Sequence, residues 1–216
     1  MPETTARAQP PGPPLPVAVP LPYLPPMKKL PEIRIACPAW VDAVIEPDRL
    51  YADDEARMRV AIDCARENVL RGTGGPFGAA IFNAGTGALV AVGVNLVVPL
   101  NNSSLHAEIV AFMMAQATLG TYTLQRDDLP PHELYTSCEP CAMCVGAVLW
   151  SGVSRVVWSA TREDADSISF DEGPVFAASY EYLRARGITF DGGVLRDEGR
   201  AVLRLYDERG GPIYNA

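Results

Sequence analysis

At 216 residues, with 48% hydrophobic and 20% charged side chains, the chain has the length and composition of a soluble protein with one substantial core. Its net charge of −8 repels polyanions, which disfavours nucleic acid as a partner, and no apolar run approaches the ~20 residues needed to span a membrane. An odd count of five cysteines without a secretion signal argues against a disulfide framework and for reduced thiols in the cytoplasm.

From Met1 to about Pro38 proline dominates, in runs such as Pro10-Pro11-Gly12-Pro13-Pro14. Proline lacks a backbone donor and fixes φ, so 1–39 is expected to be a disordered or polyproline II extension and 40–216 the folded domain. Met58, Ala61, Ile62, Ala65 and Val69 recur at helical spacing, and Gly72 ends that helix. Residues 77–82 and 89–94 are apolar, β-leaning runs joined by the turn-rich segment 83–87, which predicts a hairpin. Ser104 is the expected cap of a helix from near His106 to about Leu119. Residues 133–137 read as a short strand, 141–149 as a helix and 155–159 as a buried strand. Pro174 suits the first turn of a further helix that Gly187 ends, before a last strand at 188–190. A terminal helix is expected over 197–209, stopped by Gly210-Gly211. A hairpin followed by alternating helix and strand implies a three-layer α/β domain with a mixed sheet.

A catalytic zinc site needs three protein ligands and one open position for water. His106 offers one ligand from the start of a helix. Cys141 and Cys144, three residues apart, share a face of the next helix's first turn, where the helix dipole and free amides favour thiolates. Glu108 lies two residues from His106, near the metal without being a ligand. A carboxylate there can take a proton from the attacking water and deliver it to a ring nitrogen and a leaving amine. His-x-Glu followed by Pro-Cys-x-x-Cys is the signature of zinc-dependent deaminases, and the expectation is one zinc per chain. The competing reading of the cysteine pair is a redox motif or a closed structural site, which would need Cys138 or His132 as a fourth ligand. Cys138 is instead expected to be a small buried side chain, His132 a solvent-facing loop residue, and Cys37 and Cys64 to serve tail and helix packing.

The segments Gly74-Gly75-Pro76-Phe77-Gly78-Ala79, Gly93-Val94-Asn95, His106-Ala107-Glu108-Ile109, Tyr135 to Cys144 and Phe170-Asp171-Glu172-Gly173-Pro174 resemble bacterial guanine deaminases of the cytidine-deaminase superfamily. The resemblance runs from about Gly74 to Ala216, and the last segment is similar to the branch that includes ammeline deaminases. It implies a cytidine-deaminase-like α/β/α fold with a mixed five-stranded sheet. It also implies a homodimer and a hydrolase acting on C–N bonds of cyclic amidines, with guanine or the triazine ammeline as substrate.

By matched position, Asn95 would hydrogen-bond the ring edge, Phe77 and Trp150 would wall the base, and Ala107 would join them in substrate binding. Glu172 would bind the exocyclic amine or share in proton transfer beside Glu108, and the tail with Tyr214 would cover the site. Simpler roles compete: Phe77 and Trp150 as core, Glu172 as a helix N-terminal acid, Asn95 as a strand-end turn residue. Transfer-RNA adenosine deaminases share the zinc motifs, but carry Leu-Glu-Pro-Cys and a Val-Pro-Val-Gly-type segment where this chain has Cys138-Glu139-Pro140-Cys141 and Gly75-Pro76-Phe77-Gly78. The zinc motifs are also compatible with cytosine and nucleoside deaminases, and with a zinc-stabilised interaction domain that has no activity.

Overall fold

The computed structural model describes residues 29–214, so most of the proline-rich segment, read above as polyproline II, lies outside the described residues. The chain divides into two compact units, the first ending at Ile35 and the second running from Ala36. In the first, the described residues are exposed or half-buried and carry an Arg34–Glu32 ion pair at 3.0 Å.

The second unit opens with a short helix α1 (Val41–Val44) and the long α2 (Asp54–Leu70), whose start is capped by Asp53 accepting from the Ala56 amide at 2.8 Å. The face of Met58, Ala61, Ile62, Ala65 and Val69 is buried, as its spacing requires. Strands β1 (Gly78–Asn83) and β2 (Leu89–Val94) form the antiparallel hairpin. Asn83 Oδ1 braces its turn by accepting from the Gly85 and Thr86 amides, both at 3.0 Å. Cys37 Sγ lies 3.7 Å from the Val92 carbonyl, so packing on the domain begins slightly before residue 40.

There follow α3 (Ala107–Leu119), β3 (His132–Cys138), α4 (Ala142–Ser151), β4 (Arg155–Ala160), α5 (Arg162–Asp166), α6 (Ala177–Arg184), β5 (Thr189–Gly192) and α7 (Arg196–Glu208). The sheet order is β2-β1-β3-β4-β5, with β1 antiparallel to both β2 and β3, and β3, β4 and β5 parallel. This is the mixed five-stranded sheet expected. Helices α2 and α7 pack on one face. On the other, Ala111 and Phe112 of α3, Val145 and Val148 of α4, and Tyr180 and Leu183 of α6 share a core with Ala79, Ile81, Leu134 and Val156 of the sheet.

Two local expectations are corrected and one element is added. Ser104 does not cap α3, because its hydroxyl donates to Asn102 Oδ1 at 2.7 Å and the cap position falls on His106. Pro174 precedes α6 instead of opening it. The short α5, built on a reciprocal Thr161–Asp164 capping box, has no counterpart in the hydrophobic pattern.

Glycines set how closely two helices approach the sheet. A Cβ on Gly78 would lie 2.2 Å from the Ala61 carbonyl oxygen in α2, and one on Gly93 2.2 Å from that of Ala107 in α3. At the start of the parallel strands, Arg155 forks onto Asp54 with both bonds at 2.8 Å, and Arg57 pairs with Glu133 at 2.7 Å. The Arg155 hydrogen bonds hold the Asp54 carboxyl down to about 2.

Candidate active site

The other end of β3 leads to the metal motif. Cys138 ends the strand, Cys141 is the N-cap of α4 and Cys144 lies in its first turn, while His106 is the N-cap of α3. Neither cap position makes a side-chain cap hydrogen bond, so the His106 and Cys141 side chains are left to the site, each at the positive end of a helix dipole. The ligand atoms of His106, Cys141 and Cys144 all lie within 4.8 Å of one another, and Cys141 Sγ is 3.4 Å from His106 Nδ1. One imidazole nitrogen and two sulfurs converging at a buried point form a donor set suited to zinc.

Cys141 is pulled down to about 4, first by a hydrogen bond from the neighbouring Cys144 thiol and then by His106 against the cost of burial, while Cys144 carries the matching rise. Burial depresses the His106 imidazole, but contact with Cys141 and the carboxylate of Glu108 outweigh it and the net shift is upward. A thiolate sharing the proton of a second thiol beside an imidazole is an arrangement that a cation would bind, displacing that proton.

Neither competing fourth ligand joins the cluster. Cys138 is buried, as expected, with Sγ 3.5 Å from the Thr161 carbonyl. His132 is a correction. It is 1% exposed at the far end of β3, with Nδ1 3.3 Å from the Leu124 carbonyl, because the chain at Leu124 packs over the strand's first residue.

Glu108 lies in the first turn of α3, buried at the cluster's edge. Burial and then the Cys141 charge push its carboxyl up. Glu172 is also buried, and burial, Cys141 and Glu108 raise it to about 8. Its carbonyl accepts from the Ala142 amide at 2.9 Å, tying its loop to the first turn of α4. Phe77, His106, Glu108, Glu139, Glu172 and Tyr214 border one partly enclosed cavity.

The cavity's aromatic side is continuous. The Phe77 and Phe170 rings meet edge to face at 5.1 Å, and Phe170 meets Tyr214 at 5.0 Å. The chain beyond α7 is turned back by a hydrogen bond from the Tyr206 hydroxyl to the Pro212 carbonyl at 2.7 Å. Asn95 is wholly buried, and its Oδ1 accepts from the Val97 amide at 3.3 Å. That fixes the amide so that Nδ2, like the Tyr214 hydroxyl, is buried with no hydrogen-bond partner among the described residues.

Two residues implied by resemblance fall elsewhere. Trp150 is 79% exposed: on α4 the inward positions are Cys144, Val145, Val148 and Ser151, and residue 150 points away from them. Ala107 is wholly buried in the core between α3 and the sheet, and neither it nor Asn95 borders the cavity, although Asn95 stands across Gly75 from Tyr214. Sequence reasoning missed Asn68, whose Nδ2 donates to the Gly75 and Asn95 carbonyls, both at 2.9 Å, and so braces the loop beside the cavity. Its signal was a polar residue on the apolar face of α2. It also missed any role for Glu139 and Arg162.

A three-donor metal cluster with a buried carboxylate at its side is equipment for hydrolysis, and the bonds split in this class are C–N bonds of cyclic amidines. The chain belongs to the cytidine and deoxycytidylate deaminase family, whose zinc-binding region matches residues 51–160. It is 39% identical over 136 residues to guanine deaminase of Bacillus subtilis, covering 63% of this chain and 83% of the relative. Among solved structures, guanine deaminase of Nitrosomonas europaea is 44% identical with a TM-score of 0.78, over 82% of this chain and 97% of that one. A similar structure holding 2,6-diaminopurine is 48% identical with a TM-score of 0.78, over 84% and 96%.

Proposed function

We propose that this enzyme deaminates a free purine base, converting guanine and water to xanthine and ammonia, with one zinc per chain held by His106, Cys141 and Cys144. The observation that carries the substrate class is the buried Tyr214 hydroxyl, which borders the cavity beside Phe77, together with Asn95 Nδ2 across Gly75 from it, both without a hydrogen-bond partner among the described residues. Buried donors without partners are costly unless a ligand supplies acceptors, and a flat heteroaromatic ring supplies them along its edge. Similarity to guanine deaminases supports the same choice.

When bound, zinc supplies the Lewis acidity that makes water nucleophilic near neutral pH. Glu108 takes a proton from the attacking water and passes it to the ring nitrogen as the C–O bond forms. It then takes the second proton from the newly attached hydroxyl and delivers it to the amine, the C–N bond breaks as the C=O bond forms, and ammonia leaves. Glu172 contacts the exocyclic amine or shares in the proton transfer, and Tyr214 closes the pocket over the base, excluding bulk water and leaving no room for a ribose.

A homodimer is part of the proposal. Met143 and Trp150 on α4 are exposed, as are Phe176 and Tyr182, which line an apolar groove with Val145 and Leu149 of α4, and a second copy would cover these apolar side chains. The five cysteines are all free thiols, which fits the cytoplasm.

Ammonia release from guanine, ammeline, guanosine, cytosine, cytidine and transfer RNA tests the assignment. Guanine turnover without RNA editing is expected. Strict cytidine use, or RNA editing with no guanine turnover, would refute it.

A further inference from the structure

The segment from Phe170 to Val175 is held at several points. Asp171 Oδ1 accepts from the Gly173 amide at 2.7 Å, Gly173 takes φ +68°, and the Glu172 carbonyl is tied to α4 at Ala142. The far end is held by one side chain. Arg162, the first residue of α5, donates from Nη1 to the Val175 carbonyl at 3.2 Å. Its Nη2 lies 3.0 Å from Glu139 Oε1. Glu139 stands between Cys138 and Pro140, borders the cavity, and has a side chain only 10% exposed. It is itself pinned by the Tyr180 hydroxyl at 2.8 Å and by the Arg162 backbone amide at 3.4 Å.

One guanidinium therefore spans the chain just before the metal-binding cysteines and the chain just after Glu172. Stability alone is a poor account of this arrangement. A buried ion pair is often matched or exceeded in stability by apolar packing, and here Arg162 Nε is left buried with no partner among the described residues. The planar fork is suited to bridging a carboxylate and a carbonyl at fixed separation, which lysine cannot do.

We propose that Arg162, anchored on the buried Glu139 carboxylate, is a positioning residue that holds the 170–175 loop so that Glu172 stays over the cavity. The inference rests on the reading that Glu172 acts on the base.

The test is a double-mutant cycle between Arg162→Met and Glu172→Gln on the zinc-loaded enzyme with guanine, with hydrogen exchange as a second measurement. Arg162→Met should lower kcat by about 10- to 100-fold, the range for residues that orient a site through another group, with zinc content and the cobalt-substituted absorption spectrum unchanged. In the Glu172→Gln background the same substitution should cost less than about twofold, since its effect passes through Glu172. Amides of 171–175 should exchange faster in Arg162→Met while those of α3 do not. Should Arg162→Met fail to fold, Arg162→Lys, which keeps the charge toward Glu139 but cannot span both acceptors, should show a smaller loss with the same dependence on Glu172.

Additive losses, loss of zinc, or unchanged exchange in the loop would overturn the positioning role. A wild-type enzyme inactive on every base would instead overturn the functional assignment, and the exchange measurement would still decide whether Arg162 holds the loop.

Discussion

Tyr214 and Asn95 meet across Gly75: a methyl group on that glycine would lie 2.5 Å from the tyrosine hydroxyl and 3.1 Å from Asn95 Oδ1. The missing side chain lets the chain end descend onto the strand end that carries Asn95. Both groups keep a buried polar atom without a partner among the described residues, so both are expected to act on ligand more than on fold. Tyr214→Phe should leave the melting temperature unchanged or slightly raised, because it removes an unsatisfied hydroxyl. The same change should weaken binding of 8-azaguanine by about 2- to 12-fold, the worth of one neutral hydrogen bond at ~0.5–1.5 kcal/mol. Calorimetric titration checks it. Unchanged affinity would place the hydroxyl outside the base contact.

Glu108 does not belong to the ligand cluster, which separates its chemistry from metal retention. Glu108→Ala should keep stoichiometric zinc and a normal circular dichroism spectrum while turnover falls by at least ~10²–10⁴-fold, the usual contribution of general acid–base catalysis. Metal analysis and ammonia release on the same sample decide the matter. A chelator should abolish activity in the wild type and lower its melting temperature, with both restored by zinc.

The metal motif was legible because its geometry is local: Cys141 and Cys144 share one helical turn, and His106 and Glu108 open another. The hairpin was legible for a related reason, since β1 and β2 each carry their own apolar run. What escaped depends on contacts between distant segments. His132 looked like a loop residue because nothing nearby in sequence reveals that the chain at Leu124 covers it. Trp150 was expected as a pocket wall by its matched position in the resemblance, whereas its exposure follows from the phase of α4 set by Val145 and Val148. Helix α5 has five residues and depends on polar capping, which leaves no periodic apolar signal. The bridge from Glu139 through Arg162 to Val175 joins three separate segments, so no spacing rule could find it.

Acid should weaken the fold through the Asp54–Arg155 fork. Asp54 is held at about 2 in the folded protein against an ordinary 3.8, so the fork's contribution is complete above pH ~4 and fades as pH falls toward ~2. With the Asp54 side chain 39% exposed, solvent screening keeps the contribution on the order of 1 kcal/mol. Asp54→Asn should therefore be less stable than wild type at pH 6, with the gap closing between about pH 4 and pH 2. Urea denaturation across that range measures it. A gap that is constant with pH would mean that the carboxylate charge is not what Arg155 holds.

Gly93 sets how closely β2 approaches α3, the helix that carries Glu108. A Cβ there would lie 2.2 Å from the Ala107 carbonyl oxygen, 2.3 Å from the Ala111 amide nitrogen and 2.9 Å from the Ala111 Cα. These are backbone atoms of α3, so relief requires the helix itself to lift from β2. The part of α3 that must move includes its first turn, which carries Glu108 and follows directly from His106. Gly93→Ala should thus cost stability and misalign the site together. Overpacking of this kind typically costs ~1–3 kcal/mol, which for a domain of this size lowers the melting temperature by roughly 2–12 °C. The kcat should fall at temperatures where the variant remains folded, and zinc should be released more readily to a chelator, since His106 moves relative to Cys141 and Cys144. Gly85→Ala provides the control, because its Cβ would meet only Asn83 Oδ1 at 3.6 Å, an ordinary contact. That variant should match wild type in all three measurements. A Gly93→Ala protein that loses stability yet keeps full kcat and zinc retention would mean that α3 can move on the sheet without carrying the catalytic turn with it.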